Sequence, residues 1–152
     1  MCKCDQLFSM IQWQDLTVLK KQDFPETKGV YVIRINKQGK PIEQIISQAR
    51  KFVNKLNWSE FEEFFLNRIR RLERIGDCPI IYIGAAPKSI KSRYDDLCGK
   101  RHTAFYPILA LLFADWKLDF GWIEDDNPLV REKWLKQQYC KIHGKLPALV
   151  ER

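Results

Sequence analysis

Two short runs of β-branched and aromatic residues constrain how this chain can fold. Each run is long enough for one strand and too short for a stable helix. Residues 29–35 form the first run, and a turn-forming stretch over 36–41 follows it directly. Residues 79–84 form the second run, which is apolar throughout and ends at a glycine. A third strand is expected over 117–124, where apolar and polar residues alternate. The sequence therefore predicts a small sheet.

Much of the remaining chain has the periodicity of amphipathic helices. Apolar residues recur at steps of three and four over 42–56, and again from residue 59 to a glycine stop at residue 76. Further helices are expected over 87–97, 107–114 and 128–143. The helices thus separate the three strands along the chain.

This order of elements predicts an α+β fold, a small central antiparallel or mixed sheet flanked by helices. The 152 residues suit one domain, residues 1–152, in which 42–76 is a two-helix insertion between the first two strands. No uncharged apolar run approaches the roughly 18 residues that a membrane span needs. The first residues also lack the apolar stretch of a secretory signal. We therefore expect a soluble, cytoplasmic protein without a membrane partner.

The charge of the chain favours a polyanionic partner. Its net charge is +7, and basic residues concentrate over 50–76 and 86–107, whereas 108–127 is acidic. Three arginines of the second insertion helix lie opposite its apolar stripe, as a phosphate-contacting ridge would. A solvated helix face is the alternative. The candidate nucleic-acid contacts are Arg70, Arg71, Arg74, Lys88, Lys91, Lys100 and Arg101.

The five cysteines are an odd number and fit a reducing compartment better than a disulfide framework. With the two histidines they are nominally enough ligands for zinc. However, the closest pair, Cys2 and Cys4, has one intervening residue where structural zinc sites have two to four. Buried or unused thiols are therefore the favoured interpretation, and zinc is the alternative. The residues considered are Cys2, Cys4, Cys78, Cys98, Cys140, His102 and His143.

Two charged residues are expected on the inward sides of helices, Arg93 on the third and Glu132 on the last. Charges in such positions are costly unless they are paired with each other or used. Each of the first two strands also carries a tyrosine, Tyr31 beside Ile33 and Ile35, and Tyr82 on the face of Ile80 and Gly84. Core tyrosines are the alternative interpretation.

Together these four side chains can cleave a phosphodiester. A carboxylate with waters can hold a hard divalent cation, and an arginine can steady charge on the phosphate. A phenolate can deprotonate water if a nearby cation lowers its pKa from the usual value of about 10. The set is Tyr31, Tyr82, Arg93 and Glu132.

The order of these residues resembles the GIY-YIG nuclease superfamily. Gly-Val-Tyr at 29–31 and Tyr-Ile-Gly at 82–84 are similar to its two-part signature, and 89–94 is similar to its arginine-bearing helix. The helix of Glu132 and the proline-containing stretch 144–149 resemble the end of the domain. The resemblance covers residues 24–36 and 77–152, about two thirds of the chain.

The resemblance implies a DNA endonuclease that hydrolyses phosphodiester bonds of double-stranded DNA with Mg²⁺ or Mn²⁺. Glu132 would be the metal ligand and Arg93 would contact the phosphate. One of Tyr31 and Tyr82 would be the general base, and the other would position water or phosphate. His102 would be the additional catalytic histidine of some members, or else an exposed histidine among basic neighbours.

Two departures from the family pattern keep other functions open. The insertion at 42–76 separates the two signature pieces, and Val150 stands near the place where members commonly have an asparagine. A non-catalytic DNA-binding module that retains the fold is therefore one alternative. A basic adaptor for a protein partner is another, which an exposed apolar insertion would favour. Targeting would come from the insertion, from a homodimer or from a partner protein.

Overall fold

A computed structural model describes residues 2–57, 59–98, 102 and 104–151. Its centre is a four-stranded antiparallel sheet in the order β1-β4-β2-β3. The strands are β1 (Gln14–Asp15), β2 (Gly29–Lys37), β3 (Ile80–Ala86) and β4 (Lys117–Glu124). The helices are α1 (Ile42–Asn54), α2 (Ser59–Ile69), α3 (Ile90–Cys98), α4 (Phe105–Phe113) and α5 (Pro128–His143). Three 3-10 turns cover Asp5–Phe8, Lys21–Asp23 and Arg70–Arg74.

The predicted α+β class and the three predicted strands are confirmed, and every pairing between strands is antiparallel. The two-residue strand β1 has no counterpart in the prediction, because it is too short to show a pattern. The second insertion helix is shorter than predicted, since α2 ends at Ile69 and the chain tightens into the 3-10 turn. Among the described residues, no helix has both the length and the apolar character to cross a bilayer.

The two faces of the sheet belong to separate apolar clusters. On β2, Tyr31 and Ile33 point towards α1–α4, and Val30 and Val32 point the other way. The second face is covered by α5, through Leu135 and other residues, and by the N-terminal segment. This alternation is the normal period of a strand that is buried on both sides.

A bulge between β2 and β3 changes which residues share a face. Ile33 lies opposite Tyr82, whereas the next residue, Arg34, lies opposite Ile80. Ile81 is the extra residue, and it packs in the same cluster as Tyr82, while Ile80 packs on the other face. The prediction that Tyr82 shares its face with Ile80 is therefore wrong, because strict alternation fails at a bulge.

The insertion is only partly absorbed into the core. Ile46, Ile69 and Leu72 are buried against the first face of the sheet. Phe52 and Phe64, from the same two helices, remain 55% and 43% exposed. The insertion therefore both covers the sheet and presents some apolar surface.

Glycines in the two signature pieces make room for close packing. A Cβ on Gly84 would lie 2.5 Å from Cζ and Oη of Tyr31 and 2.7 Å from Cε1 of Tyr82. A Cβ on Gly29 would collide with the carbonyl oxygen of Ile123 on the neighbouring strand β4. Both positions thus need a residue without a side chain for steric reasons.

We expect Gly84→Ala to lower the free energy of unfolding by roughly 1–3 kcal/mol, because the added methyl group overpacks against two aromatic rings. Gly76→Ala is the matched control, since its Cβ would meet only the Lys145 ammonium at 3.8 Å. Urea denaturation of both variants measures the difference. Equal stability of the two variants would contradict the steric role of Gly84.

Candidate active site

An open hollow of about 520 Å³ lies beside β3, one of the two edge strands of the sheet. It is lined by Tyr82 from β3, Arg93 from α3 and Glu132 from α5. Because β3 is at the edge, a helix on each face can reach the same space. Three of the four side chains of the predicted phosphodiester-cleaving set therefore meet in one solvent-open place.

The fourth, Tyr31, lies directly behind the hollow rather than in its lining. Its side chain is buried, with 1% exposure, and its ring stacks on Tyr82 at a centroid distance of 5.6 Å. Its hydroxyl group is hydrogen-bonded to Nε2 of His102. Tyr31 can thus act on a substrate through its neighbours but does not itself line the hollow.

His102 is a buried part of the same cluster. Its side chain is 3% exposed, and its ring centroid lies 4.9 Å from that of Tyr82. The alternative of an exposed histidine is therefore wrong. Ala104, which follows two residues later, is buried as well.

The hydrogen bonds of His102 define the direction of a short chain. The backbone N–H of Ala104 donates to Nδ1 of the imidazole at 3.0 Å, so the proton of the neutral ring is on Nε2. Nε2 then donates to Tyr31, whose own hydroxyl hydrogen is left to donate to the Tyr82 oxygen. The chain runs from His102 through Tyr31 and ends at Tyr82, in the hollow.

Burial dominates the protonation of these groups. Burial, with the positive charge of Arg93 in second place, lowers the pKa of His102 to about 4, so the imidazole is neutral at neutral pH. Burial also raises the pKa of Tyr31 and of Tyr82. On Tyr82, the hydrogen bond from Tyr31 and the charges of Arg93 and Arg71 oppose that rise in pKa. The pKa of Tyr82 is still raised, but less than that of Tyr31, so Tyr82 is the better base of the two phenols.

The charged groups of the hollow form ion pairs that a substrate can replace. Lys136 donates to Oε1 of Glu132 at 3.1 Å, one helical turn away. Nη1 of Arg93 lies 3.5 Å from Asp96, which also lines the hollow. Nε of Arg93 is buried and has no hydrogen-bond partner among the described residues. The arginine thus has a donor left for a bound anion.

The predicted basic contacts lie in different places. Lys88 is exposed and lines the hollow, whereas Lys91 is ion-paired with Glu26 at 3.4 Å. Arg70 and Arg74 are exposed. Lys100 and Arg101 are outside the described residues.

Arg71 does not belong to an exposed ridge. Its side chain is only 11% exposed and is ion-paired with Glu151, and burial lowers its pKa. The prediction that three arginines form one ridge opposite the apolar stripe assumed about 100° per residue throughout. From residue 70 onwards the turn is 3-10, which advances about 120° per residue and moves Arg71 inward.

Val150, which the resemblance sets near the place of an asparagine, is a core residue. Val150 is buried, and its N–H donates to the carbonyl of Pro147. The N–H of Leu149 donates to Ile81 at 2.9 Å, so this segment packs along the start of β3. Val150 offers no polar side-chain group to the hollow.

Some residues near the hollow were not anticipated from the sequence. Asp96 lies three residues after Arg93, on the same side of α3, and that spacing was the available signal. Elsewhere in the molecule, three cysteines and His143 converge, with their ligand atoms within 4.8 Å of one another. The interpretation of the cysteines as unrelated thiols does not account for this convergence.

The chain matches no protein-family model, no curated protein and no solved structure. Its functional assignment therefore depends on the geometry and chemistry of the described residues.

Stability should fall on acidification because of His102. The ordinary histidine pKa is about 6.5, so below this pH His102 is protonated in the unfolded chain. In the folded chain it stays neutral until about pH 4. The contribution is fully present above pH 6.5, and about 3 kcal/mol is lost by pH 4. Urea denaturation at a series of pH values measures this slope.

His102→Gln is the comparison variant, because an amide can still donate to Tyr31 but does not titrate. We expect it to flatten the pH dependence between 6.5 and 4. Proton NMR of the wild-type chain should show a histidine with a pKa near 4 whose signal is missing in the variant. An ordinary pKa for that signal would contradict the burial argument.

Proposed function

We propose that this chain is a divalent-metal-dependent endonuclease of the GIY-YIG type that hydrolyses phosphodiester bonds in double-stranded DNA. The observation that carries the proposal is the hollow beside β3, where Tyr82, Arg93 and Glu132 arrive from three separate elements. Further support is the pairing of β2 with β3, which sets Tyr31 opposite Gly84 and joins the two signature pieces side by side.

Tyr82 is the general base in this proposal. It lines the hollow, and its oxygen accepts the hydrogen bond from Tyr31 at the end of the chain that starts at His102. Donation by Tyr31 stabilises the phenolate form of Tyr82, as does the positive charge of Arg93. Tyr31 and His102 are therefore positioning residues: they orient Tyr82 and oppose the rise in its pKa that burial causes.

Arg93 is the residue that binds the scissile phosphate. Its guanidinium group exchanges Asp96 for a phosphate oxygen, and the buried Nε supplies a second donor in the planar geometry that phosphate suits. Lys88 at the rim of the hollow contacts a neighbouring phosphate. The net charge of +7 favours DNA approach at long range.

The oxygen atoms of the hollow fit a hard divalent cation. Glu132 and Asp96 both line the hollow, and carboxylates with retained water are the ligands that Mg²⁺ takes in phosphoryl-transfer sites. When bound, Mg²⁺ or Mn²⁺ polarises a phosphoryl oxygen and stabilises the charge of the leaving group. Glu132 is the ligand in the proposal, and to act so it exchanges its ion pair with Lys136 for the cation.

A non-catalytic DNA-binding module is the second candidate. Two observations favour it: the ion pair that already neutralises Glu132, and the apolar Val150 buried near the position of the family asparagine. Both candidates require DNA binding, and only the first requires cleavage. In either case, a homodimer or a partner protein could direct the chain to its DNA site.

Incubation with supercoiled plasmid and Mg²⁺ or Mn²⁺ tests cleavage. We expect nicked or linear product, and a roughly 10²- to 10⁴-fold lower rate for Tyr82→Phe, because the general base is lost. Glu132→Gln should abolish the metal dependence together with the activity, since a neutral amide binds the cation poorly. Gel electrophoresis with time gives the rates.

Matched controls lie outside the hollow. Tyr106→Phe and Glu60→Gln remove the same groups from α4 and α2, and both should retain the wild-type rate. Cleavage that survives Glu132→Gln would exclude the metal role of that residue. DNA binding without cleavage in both metals would establish the second candidate, and absence of DNA binding would exclude both.

Binding to DNA should weaken steeply with salt, because each phosphate contact releases a counterion. Lys88→Ala should reduce the slope of log K against log salt by about one, with the same loss for all sequences. Lys51→Ala, an exposed lysine on α1, is the control and should leave the slope unchanged. A slope near zero for the wild-type chain would contradict an electrostatic DNA surface.

A further inference from the structure

Four metal-binding side chains from three distant segments meet on the face of the sheet opposite to Tyr31. Cys2 and Cys4 come from the N-terminal segment, Cys78 from the loop before β3 and His143 from the last residue of α5. Their ligand atoms all lie within 4.8 Å of one another. No residue of this cluster lines the hollow beside β3.

Three of the distances within the cluster are close to those of a tetrahedral site. Sγ of Cys4 lies 3.5 Å from Sγ of Cys2 and 3.5 Å from Sγ of Cys78. Sγ of Cys2 lies 3.4 Å from Nε2 of His143. With Zn–S bonds of about 2.3 Å and Zn–N bonds of about 2.0–2.1 Å, tetrahedral ligands lie about 3.6–3.8 Å apart.

A disulfide is a poorer explanation of this geometry. A disulfide has its sulfur atoms about 2.05 Å apart and joins two of them, whereas here three sulfur atoms and one imidazole nitrogen all lie within 4.8 Å of one another. All five cysteines of the chain are free thiols in the structure. Cys98 and Cys140 are not members of the cluster.

We propose that Cys2, Cys4, Cys78 and His143 bind a structural Zn²⁺ ion. Three thiolates and an imidazole are the soft and intermediate ligands that zinc prefers over magnesium or calcium. Because the protein supplies all four ligands, no position is left for water or substrate, and the site is structural rather than catalytic. This proposal is independent of the nuclease proposal, since the two sites share no residue.

Local structure presents the ligands without help from an ion. A turn at the N-terminus, in which the N–H of Asp5 donates to the carbonyl of Cys2 and that of Leu7 to Cys4, brings the first two thiols together. The carboxylate of Asp5 accepts from the N–H of Cys2 at 3.1 Å. The imidazole of His143 lies against the ring of Tyr139, with 4.4 Å between centroids, which restrains its orientation.

The ion would cross-link the N-terminal segment to the loop before β3 and to the end of α5. Cys2 is separated from His143 by 141 positions, and Cys4 from Cys78 by 74. Phe8 and Ile11 of this segment are buried in the second core cluster beside Val30. Closing such long loops removes much of the conformational entropy of the unfolded chain, so the ion stabilises the folded state.

Metal analysis of the full chain, purified under reducing conditions without chelators, tests the site. We expect about one Zn²⁺ per chain, the stoichiometry of a single closed tetrahedral site. Co²⁺ added to the metal-free chain should give the visible bands of a tetrahedral thiolate complex. Cys78→Ser should weaken Zn²⁺ binding at least tenfold in competition with a chromophoric chelator, and Cys140→Ser, the matched control from α5, should not.

Thiol labelling keeps the test valid if Cys78→Ser does not fold. Zn²⁺ should protect Cys2, Cys4 and Cys78 of the wild-type chain from alkylation, whereas Cys98 and Cys140 should react with or without the ion. Equal alkylation of all cysteines in both conditions would overturn the proposal, as would equal zinc loss in the two serine variants. Glu132→Gln should retain its Zn²⁺, so failure of the nuclease proposal would leave this result unchanged.

Discussion

The close approach of Tyr31 to Tyr82 is the constraint on which the candidate active site depends. Antiparallel pairing of β2 and β3 sets Tyr31 opposite Gly84, and only a residue without a side chain leaves space for the phenol there. Stacked in that space, Tyr31 directs its hydroxyl group to His102 and supports Tyr82 from behind. The chemistry of the hollow is thus built into the register of two strands.

Burial gives the cluster its electrostatic character. The imidazole of His102 stays neutral because desolvation and Arg93 both disfavour its charged form, and the phenols stay protonated for the first of these reasons. A buried neutral network of this kind is stable only if each polar atom has a partner. In this cluster, Nε of Arg93 has no partner among the described residues, so it is the atom of the cluster at which an anion would gain most.

Periodicity was a good guide to elements and a poor guide to their irregularities. Apolar runs, strict alternation and helical periods identified the strands β2–β4 and the five α-helices of the described residues, and the helical period placed Arg93 and Glu132 on inward sides of their helices. The bulge at Ile81 and the 3-10 turn that buries Arg71 break the assumed period, and no local signal marks either. The burial of His102 is likewise a tertiary effect.

The cysteine cluster is a second feature that local sequence patterns did not predict. Spacing rules for zinc describe ligands supplied by one or two short motifs, so Cys2 and Cys4 fail them. Ligands that meet only when distant segments pack are invisible to such rules, and the convergence on Cys78 and His143 required the sheet and α5 to be in place. Absence of a motif is therefore weak evidence against a metal site in a folded domain.

Helix α5 relates the two sites and also keeps them apart. Glu132 lies near its beginning and His143 at its end, and at about 1.5 Å per residue they are about 16 Å apart along the helix axis. That separation exceeds the Debye length of about 8–10 Å at physiological salt, so charge at one site is screened from the other. Mechanical coupling is different, because the buried side chains of Leu135 and Tyr139 hold the helix against the sheet between the sites. A cation at the cysteine cluster would therefore act on the hollow chiefly by fixing the position of the helix that carries Glu132.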